Sequence, residues 1–193
     1  MNRTILFCVG VLLALANATA GAAERWQFDE AHTQVLFTVN HLGFTDLIGQ
    51  FRRIDGELLL DRDNLSASSV RAVLDAGSVD LNHEGINEHL RNPDFFDVER
   101  YAQLRFESTS VEALADDRLA VTGALTMLGH TRPVVLEVTV NRIGNHPMSG
   151  QPHAGFTATG TLKRSEWGMD HLVGPVGDEI AFRINVEAKP AAE

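Results

Sequence analysis

The sequence predicts an all-β fold: one domain of eight antiparallel strands that close into a barrel, with a short helix at one end. Eight segments alternate apolar and polar residues with the period of two that is typical of half-buried strands. Turn-forming pairs such as Leu42-Gly43 and Gly174-Pro175 separate these segments. Strands with one apolar face form a sandwich or a closed barrel, and eight strands suit a barrel whose interior holds side chains or one small ligand.

The first 23 residues are predicted to be a cleaved signal peptide. Arg3 supplies the positive start, and the apolar run over 5–16 is too short to span a bilayer. Ala18-Thr19-Ala20 is a small-residue cleavage pattern, and cleavage after Ala20 or after Ala23 is open. We therefore predict residues 24–193 as the exported domain, with no membrane span in the mature form.

The eight predicted strands follow one another along the chain, each with one apolar face. These faces are Val35, Phe37 and Val39; Ile54, Gly56, Leu58 and Leu60; Val70, Ala72 and Leu74; Leu104 and Phe106; Leu119, Val121, Gly123, Leu125 and Met127; Val134, Leu136, Val138 and Val140; Phe156, Ala158, Gly160 and Leu162; and Ile180, Phe182, Ile184 and Val186. The segment 82–90 breaks the alternation, because Ile86 and Leu90 stand four apart and Asn82 is a suitable helix cap. It is predicted as a short helix that plugs or flanks one end of the barrel.

Composition excludes several classes of site. The formal charge is −10 and the chain has no basic stripe, so no nucleic-acid partner is expected. The single cysteine, Cys8, lies in the predicted signal, which leaves the mature chain without disulfides or a thiol nucleophile. No two of the eight histidines have helical metal-ligand spacing, and His146 and His153 are assigned to a loop. We predict no metal site and, since no catalytic motif occurs, no catalytic residue.

The apolar interior is the remaining candidate for function. Phe37, Phe106, Phe156 and Phe182 project into it and either fill a dry core or line a lumen for an apolar ligand. Small residues on the same faces leave room and favour a cavity: Gly56, Ala72, Gly123, Ala158 and Gly160. A buried methylene contributes roughly 0.8 kcal/mol, so a long hydrocarbon tail needs no directional chemistry.

Polar groups at the ends of the barrel are candidates for holding a ligand head group. Arg52, Arg91, Arg132 and Arg164 could pair with an anionic head. His41 continues the inward face of Phe37 and Val39, so it is predicted to close one end of the interior with a polar group.

Five segments resemble the YceI-like family of bacterial exported, lipocalin-like, polyisoprenoid-binding proteins. They are WQFDEAHTQVLFTVNHLGF at 26–44, GQFRRIDGEL at 49–58, HLRNPDFFDVERYAQLRFEST at 89–109, GALTMLGHTRPVVLEV at 123–138 and FTATGTLKRSEWGMD at 156–170. The resemblance implies a periplasmic or secreted lipocalin-like barrel that carries or stores a long amphiphilic molecule. Two departures, Leu128 where the family commonly has histidine and Gly85-Ile86-Asn87 before His89, bear on the head group.

Strand faces and family positions together define the predicted site. The ligand-binding residues are Phe37, Val39, His41, Phe44, Phe51, Phe95, Phe106, Met127, Phe156, Trp167, Met169 and Phe182, and the polar head candidates are Arg52, His89, Arg91, Arg132 and Arg164. No cofactor is required, and the predicted partner is a polyisoprenoid, an isoprenoid quinone or a fatty lipid such as a fatty amide. A homodimer is left open.

Two alternatives to the lipid carrier stay open at this point. One is an enzyme or redox partner that acts on such a lipid, with His41 or His89 as acid or base. The other is a ligand-free structural or stress-response protein with a filled barrel.

Overall fold

The computed structural model describes residues 23–115 and 117–192, which contain eleven strands and one α-helix. The strands are β1 (Glu24–Phe28), β2 (Gln34–His41), β3 (Thr45–Phe51), β4 (Ile54–Leu60), β5 (Ser69–Asp75), β6 (Val79–Asp80), β7 (Gln103–Ala115), β8 (Arg118–Met127), β9 (His130–Asn145), β10 (Pro152–Lys163) and β11 (Glu179–Pro190). The helix is α1 (Glu84–Arg91). The predicted signal peptide, Ala23 excepted, lies outside the described residues. Within the described part of the chain, no helix has the length and apolar character needed to cross a membrane.

The eleven strands occupy eight positions around a closed antiparallel ring. The ring runs β1-β4-β5-β7-β8-β9-β10-β11 and closes where β11 pairs with β1. β2 continues β1, because β11 pairs with β2 through residues 181–185 and with β1 through 188–190. β3 and β6 in the same way extend the positions of β4 and β5. The predicted eight-stranded antiparallel barrel is confirmed.

The alternation pattern predicts one strand at each position and misses β1, β3 and β6. β6 has only two residues, too few for a period. In β3 the outward Ile48 is 68% exposed, whereas the inward position beside it is Gly49. An apolar residue on the outer face and a glycine on the inner face together erase the pattern of a half-buried strand.

The predicted helix over 82–90 is present as α1, but its N-cap is His83 rather than Asn82. Asn82 has a backbone φ of 59° and so turns the chain in the left-handed region before the helix begins. A one-residue shift of this kind follows from turn geometry that apolar spacing alone does not encode.

A polar cluster joins α1 to the barrel wall. The carboxylate of the buried Asp80 accepts hydrogen bonds from Asn87 Nδ2 and from the Asn82 N–H, both at 2.9 Å. It also accepts one from Arg52 Nε at 2.7 Å. These hydrogen bonds lower the pKa of Asp80 to about 2. The bond from the Asn87 amide has the largest effect on this pKa, followed by the bond from the Asn82 N–H. Arg52 therefore stabilises the fold at this corner.

Asp80→Asn is expected to remove an acid-sensitive part of the stability. A carboxylate with a depressed pKa stabilises the fold above its ordinary pKa of 3.8, and this contribution is lost as pH falls towards about 2. Urea unfolding from about pH 5 to about pH 2 should show the two proteins differing most at the upper end and converging at the lower. A constant difference across this range would show that Asp80 ionisation does not stabilise the fold.

Two buried tryptophans differ in one hydrogen bond. Trp167 is 1% exposed and donates from Nε1 to the carbonyl oxygen of Leu125 at 3.0 Å. Trp26 is 0% exposed, and its Nε1 has no partner among the described residues. The indole N–H of Trp167 thus stabilises the fold, whereas the indole N–H of Trp26 is buried without a hydrogen bond and destabilises it.

Trp167→Phe is therefore expected to lower the free energy of unfolding by about 1 kcal/mol more than Trp26→Phe. Both changes remove similar apolar area, so the difference isolates the hydrogen bond. Urea unfolding of the two variants measures it, and equal losses would contradict the interpretation.

Candidate functional site

The barrel encloses a cavity of about 280 Å³. This volume lies just below the range of about 300–1,000 Å³ that is usual for ligand pockets. The residues that line it are apolar, with three exceptions: Ser68, Ser69 and Arg164. The interior is thus suited to a hydrocarbon and offers very few polar groups.

The inward phenylalanines show that the interior is not a filled core. Phe37, Phe106, Phe156 and Phe182 all line the cavity, yet each is only half-buried. In a close-packed barrel of this size such rings would be sealed by their neighbours. Their remaining exposure faces the lumen, which disfavours the filled-barrel alternative.

Glycines on the inner wall receive these rings, which changes the interpretation of the small residues. A Cβ built on Gly160 would lie 2.5 Å from Phe182 Cζ, and one on Gly56 would lie 2.3 Å from Phe28 Cε2. Gly123 stands in the same relation to Phe106, with 2.3 Å to its Cζ. The glycines therefore let the aromatic rings pack flat against the inner wall. Because the rings do not project into the centre of the barrel, the lumen stays open.

Gly160→Ala should displace the Phe182 ring into the lumen. Overpacking of this kind costs about 1–3 kcal/mol, and the displaced ring should also reduce the space for ligand. Gly155→Ala in the same strand is the matched control, since its added Cβ would meet nothing nearer than 3.8 Å. Urea unfolding measures both variants, and equal stability of the two would contradict the proposed ring packing.

Arg164 is the one charged residue in the described wall of the lumen. It is 3% exposed, and its guanidinium donates from Nε to the carbonyl of Gly177 at 2.9 Å and from Nη2 to that of Val176 at 3.2 Å. Nη1 donates to Met169 and His171 carbonyls, each at 2.8 Å. Arg164 thus binds the segment between β10 and β11 to the end of the barrel.

The hydrogen bonds of Arg164 leave one of its N–H groups without a carbonyl partner among the described residues. Four of the five N–H groups of a guanidinium are used by carbonyls, which are neutral acceptors. Burial lowers the pKa of Arg164, whereas Asp178 and Asp170 oppose this effect. An arginine nonetheless stays protonated, so the lumen has a cation at one end.

The other polar head candidates lie outside the lumen wall. Arg52 is bound to Asp80, and Arg91 donates from Nε to the Gly77 carbonyl and from Nη1 to Glu84. Arg132 is exposed near the start of β9. His89 is also exposed, although its ring lies 5.0 Å from the ring of Phe95, which lines the cavity.

Nine of the twelve predicted ligand-binding residues line the cavity: Phe37, Val39, Phe51, Phe95, Phe106, Met127, Phe156, Met169 and Phe182. The other three do not. His41 is exposed at the end of β2, Phe44 is 88% exposed beyond the adjacent turn, and Trp167 is occupied by its bond to Leu125. Direct contact of the nine with a ligand stays a prediction.

The sequence-based prediction missed several lining residues. Phe28 belongs to β1, where its alternation with Trp26 was the available signal. Leu90 and Phe96 come from α1 and the turn after it, and Val176 comes from the segment that Arg164 binds. Residues outside strands do not alternate between two faces, so the sequence gives no pattern that would place these three in the lumen.

The histidines of the predicted enzyme alternative stand apart from this wall. Neither His41 nor His89 lines the cavity. A lipid enclosed there would therefore meet the Arg164 end and apolar side chains, and no described histidine in an acid or base position.

Comparison with known proteins assigns the domain. A family model described as a YceI-like domain matches residues 26–188. Protein YceI of Salmonella arizonae is 35% identical over 188 residues, which cover 97% of each chain. These matches extend over nearly the whole sequence.

Solved structures show the same fold. BcnA of Burkholderia cenocepacia superimposes with a TM-score of 0.76 at 23% identity, covering 84% of this chain and 99% of that one. A polyisoprenoid binding domain from Saccharophagus degradans superimposes with a TM-score of 0.65 at 12% identity, covering 89% of this chain and 100% of that one. At these identities the likeness establishes the architecture of the barrel.

Proposed function

The chain belongs to the YceI-like family, and from this premise we propose that it is a periplasmic carrier that encloses one long-chain amphiphilic lipid in its lumen. The observation that carries the proposal is the apolar cavity of about 280 Å³ with a single cation at its end. The ligand classes that fit are a polyisoprenoid, an isoprenoid quinone and a fatty amide. Export by the predicted signal peptide is part of this proposal.

Tail binding in this lumen rests on the hydrophobic effect. Ten buried methylenes contribute roughly 8 kcal/mol before the cost of ordering the chain. This is enough for retention without a hydrogen bond to the tail. A wall of this kind selects by length and flexibility rather than by functional group.

Arg164 is the proposed head-group contact. Its remaining N–H and its positive charge favour an electron-rich oxygen, such as that of a phosphate, a quinone or an amide. Phe95 supports this arrangement, because its ring centroid lies 6.0 Å from Arg164 Cζ. The proposed ligand thus places its head at the Arg164 end and its tail along the barrel.

The comparisons supply the ligand class for the proposal. The Saccharophagus degradans domain is described as polyisoprenoid binding, and it has the same barrel. Nothing in the lumen favours turnover of the lipid over carriage, since the described wall contains no histidine or carboxylate.

The proposal is tested by what the protein carries. The exported protein would be purified from its native host without detergent, extracted with organic solvent and analysed by mass spectrometry. We expect one isoprenoid or fatty species in a near-stoichiometric amount. Protein that is reproducibly empty, and that also fails to take up added polyprenyl or quinone lipid, would overturn it.

A further inference from the structure

A second cluster of chemically active side chains lies on the outside of the barrel, where the ring closes. Asp29, His153 and Glu187 each offer one ligand atom, and these atoms lie within 4.8 Å of one another. Asp29 follows β1, His153 is in β10 and Glu187 is in β11. Because Val186 lines the lumen, its neighbour Glu187 points outwards. The cluster is therefore separate from the lipid site.

The hydrogen bonding of His153 leaves one ring nitrogen free for a cation. Nδ1 lies 3.1 Å from the carbonyl oxygen of Gln151, which only accepts, so Nδ1 carries the proton. Nε2 then directs either a lone pair or a second proton at Glu187 Oε1, 3.6 Å away. A lone pair facing a carboxylate is unfavourable unless a cation lies between them. A histidine whose other N–H donates to a backbone carbonyl is the usual arrangement at a metal.

Asp29 brings a second carboxylate to the cluster and contacts two further side chains, His32 and Lys189. Its Oδ2 lies 3.4 Å from His32 Nδ1 and 3.6 Å from Lys189 Nζ. Lys189 is the competitor for any cation that binds there.

The side chains are sheltered and nearly in place for coordination. Asp29, His153 and Glu187 are 18, 20 and 31% exposed. Ligand atoms around a tetrahedral zinc ion stand about 3.4 Å apart, given bond lengths of about 2.0–2.2 Å. Side-chain rotations that move these atoms by about an ångström would close the site, without movement of the strands.

The location gives such a site a structural consequence. β1 and β11 are joined by three residue pairs, Trp26 with Pro190, Gln27 with Lys189 and Phe28 with Ala188, and five further pairs join β11 to β2, which continues β1. The cluster spans this seam, since Asp29 follows β1 and the other two ligands belong to β10 and β11. A bound ion would hold three neighbouring chain segments together.

We propose that Asp29, His153 and Glu187 bind a divalent transition-metal ion, with Zn²⁺ as the best match. Mixed imidazole and carboxylate ligands in a four-coordinate arrangement suit zinc, whereas calcium and magnesium prefer oxygen alone. Strand and turn spacing conceal this site, because its ligands come from three distant parts of the chain. His153 lies in β10 and not in a loop as predicted.

The test uses the purified exported chain after chelator treatment, with Zn²⁺ alone as the probe. Calorimetric titration should give one site in the wild type, and His153→Gln and Glu187→Gln should each weaken it at least about tenfold. His83→Gln, a histidine at the other end of the barrel that forms no cap bond, is the control and should bind as the wild type does. Lys189→Gln should bind more tightly, since it removes the competing ammonium group.

Stability and spectroscopy give independent readouts. Zn²⁺ at about 100 times its Kd should raise the thermal midpoint of the wild type by about 5–10 °C and leave that of His153→Gln unchanged. Co²⁺ in place of zinc should give the intense visible absorption of a four-coordinate site. Binding that survives in both ligand variants, or a wild type that binds no more tightly than they do, would overturn the proposal. Either outcome would leave the lipid extraction, which tests the lumen, unaffected.

Discussion

Ala158→Phe is expected to abolish lipid retention while leaving the barrel folded. Ala158 lines the cavity from the middle of β10, between Val138 of β9 and Ile184 of β11. A benzyl group there would enter the lumen of about 280 Å³ and displace the ligand tail. Loss of room for about four methylenes weakens binding by roughly 3 kcal/mol, which is more than a hundredfold in Kd. Binding is measured with cis-parinaric acid as a fluorescent chain and by extraction of native lipid.

Thr161→Phe is the matched control for this prediction. Thr161 is in the same strand, is exposed and has the opposite orientation. It adds the same ring to the outside of the barrel, so binding should stay within about twofold of the wild type. If Ala158→Phe folds and binds the probe as tightly as Thr161→Phe does, the ligand is not in the lumen.

The barrel could be predicted from sequence because its inward faces repeat. Val134, Leu136 and Val138 of β9 are all buried, and the residues between them face outwards. A period of two carries this information within a single strand. Where one barrel position is divided between two short strands, as for β1 and β2, each half is too short or too irregular to reveal the whole.

The lumen was predictable in part for the same reason. Phe106, Phe156 and Phe182 are inward positions of clear strands, and all three line the cavity. The polar end of the lumen was harder to predict, because the sequence does not show which group an arginine binds. Arg52 and Arg164 look alike as residues, yet one binds a carboxylate at a corner of the barrel and the other binds four carbonyls inside it.

The size of the cavity could not be predicted from the pattern of small residues along the strands. Gly123 and Gly160 mark places where bulk is missing from the inner wall, and this suggests empty space. Only three-dimensional packing shows that rings from neighbouring strands occupy it, Phe106 at Gly123 and Phe182 at Gly160. The size of a cavity depends on such pairs across strands, whose register a single sequence does not specify.

Arg164→Met is expected to cause the largest loss of stability among single changes in the lumen wall. Methionine fills much of the same volume but leaves the carbonyls of Met169, His171, Val176 and Gly177 without their donor. Each unsatisfied buried carbonyl costs about 1–3 kcal/mol, and relaxation of the segment towards water recovers part of the total. We expect a net loss of about 3–5 kcal/mol in urea unfolding, with faster amide hydrogen exchange over residues 168–177.

Two further variants separate the hydrogen bonds of Arg164 from its charge. Arg183→Met removes an exposed, outward arginine of the next strand and should change stability by no more than about 0.5 kcal/mol. Arg164→Lys keeps the charge but has three donors, too few for four carbonyls, so its stability should lie between those of the wild type and Arg164→Met. If Arg164→Met unfolds at the same urea concentration as Arg183→Met, the carbonyl contacts do not stabilise this end of the barrel. If Arg164→Lys instead matches the wild type, the charge is sufficient and the planar set of donors is not needed.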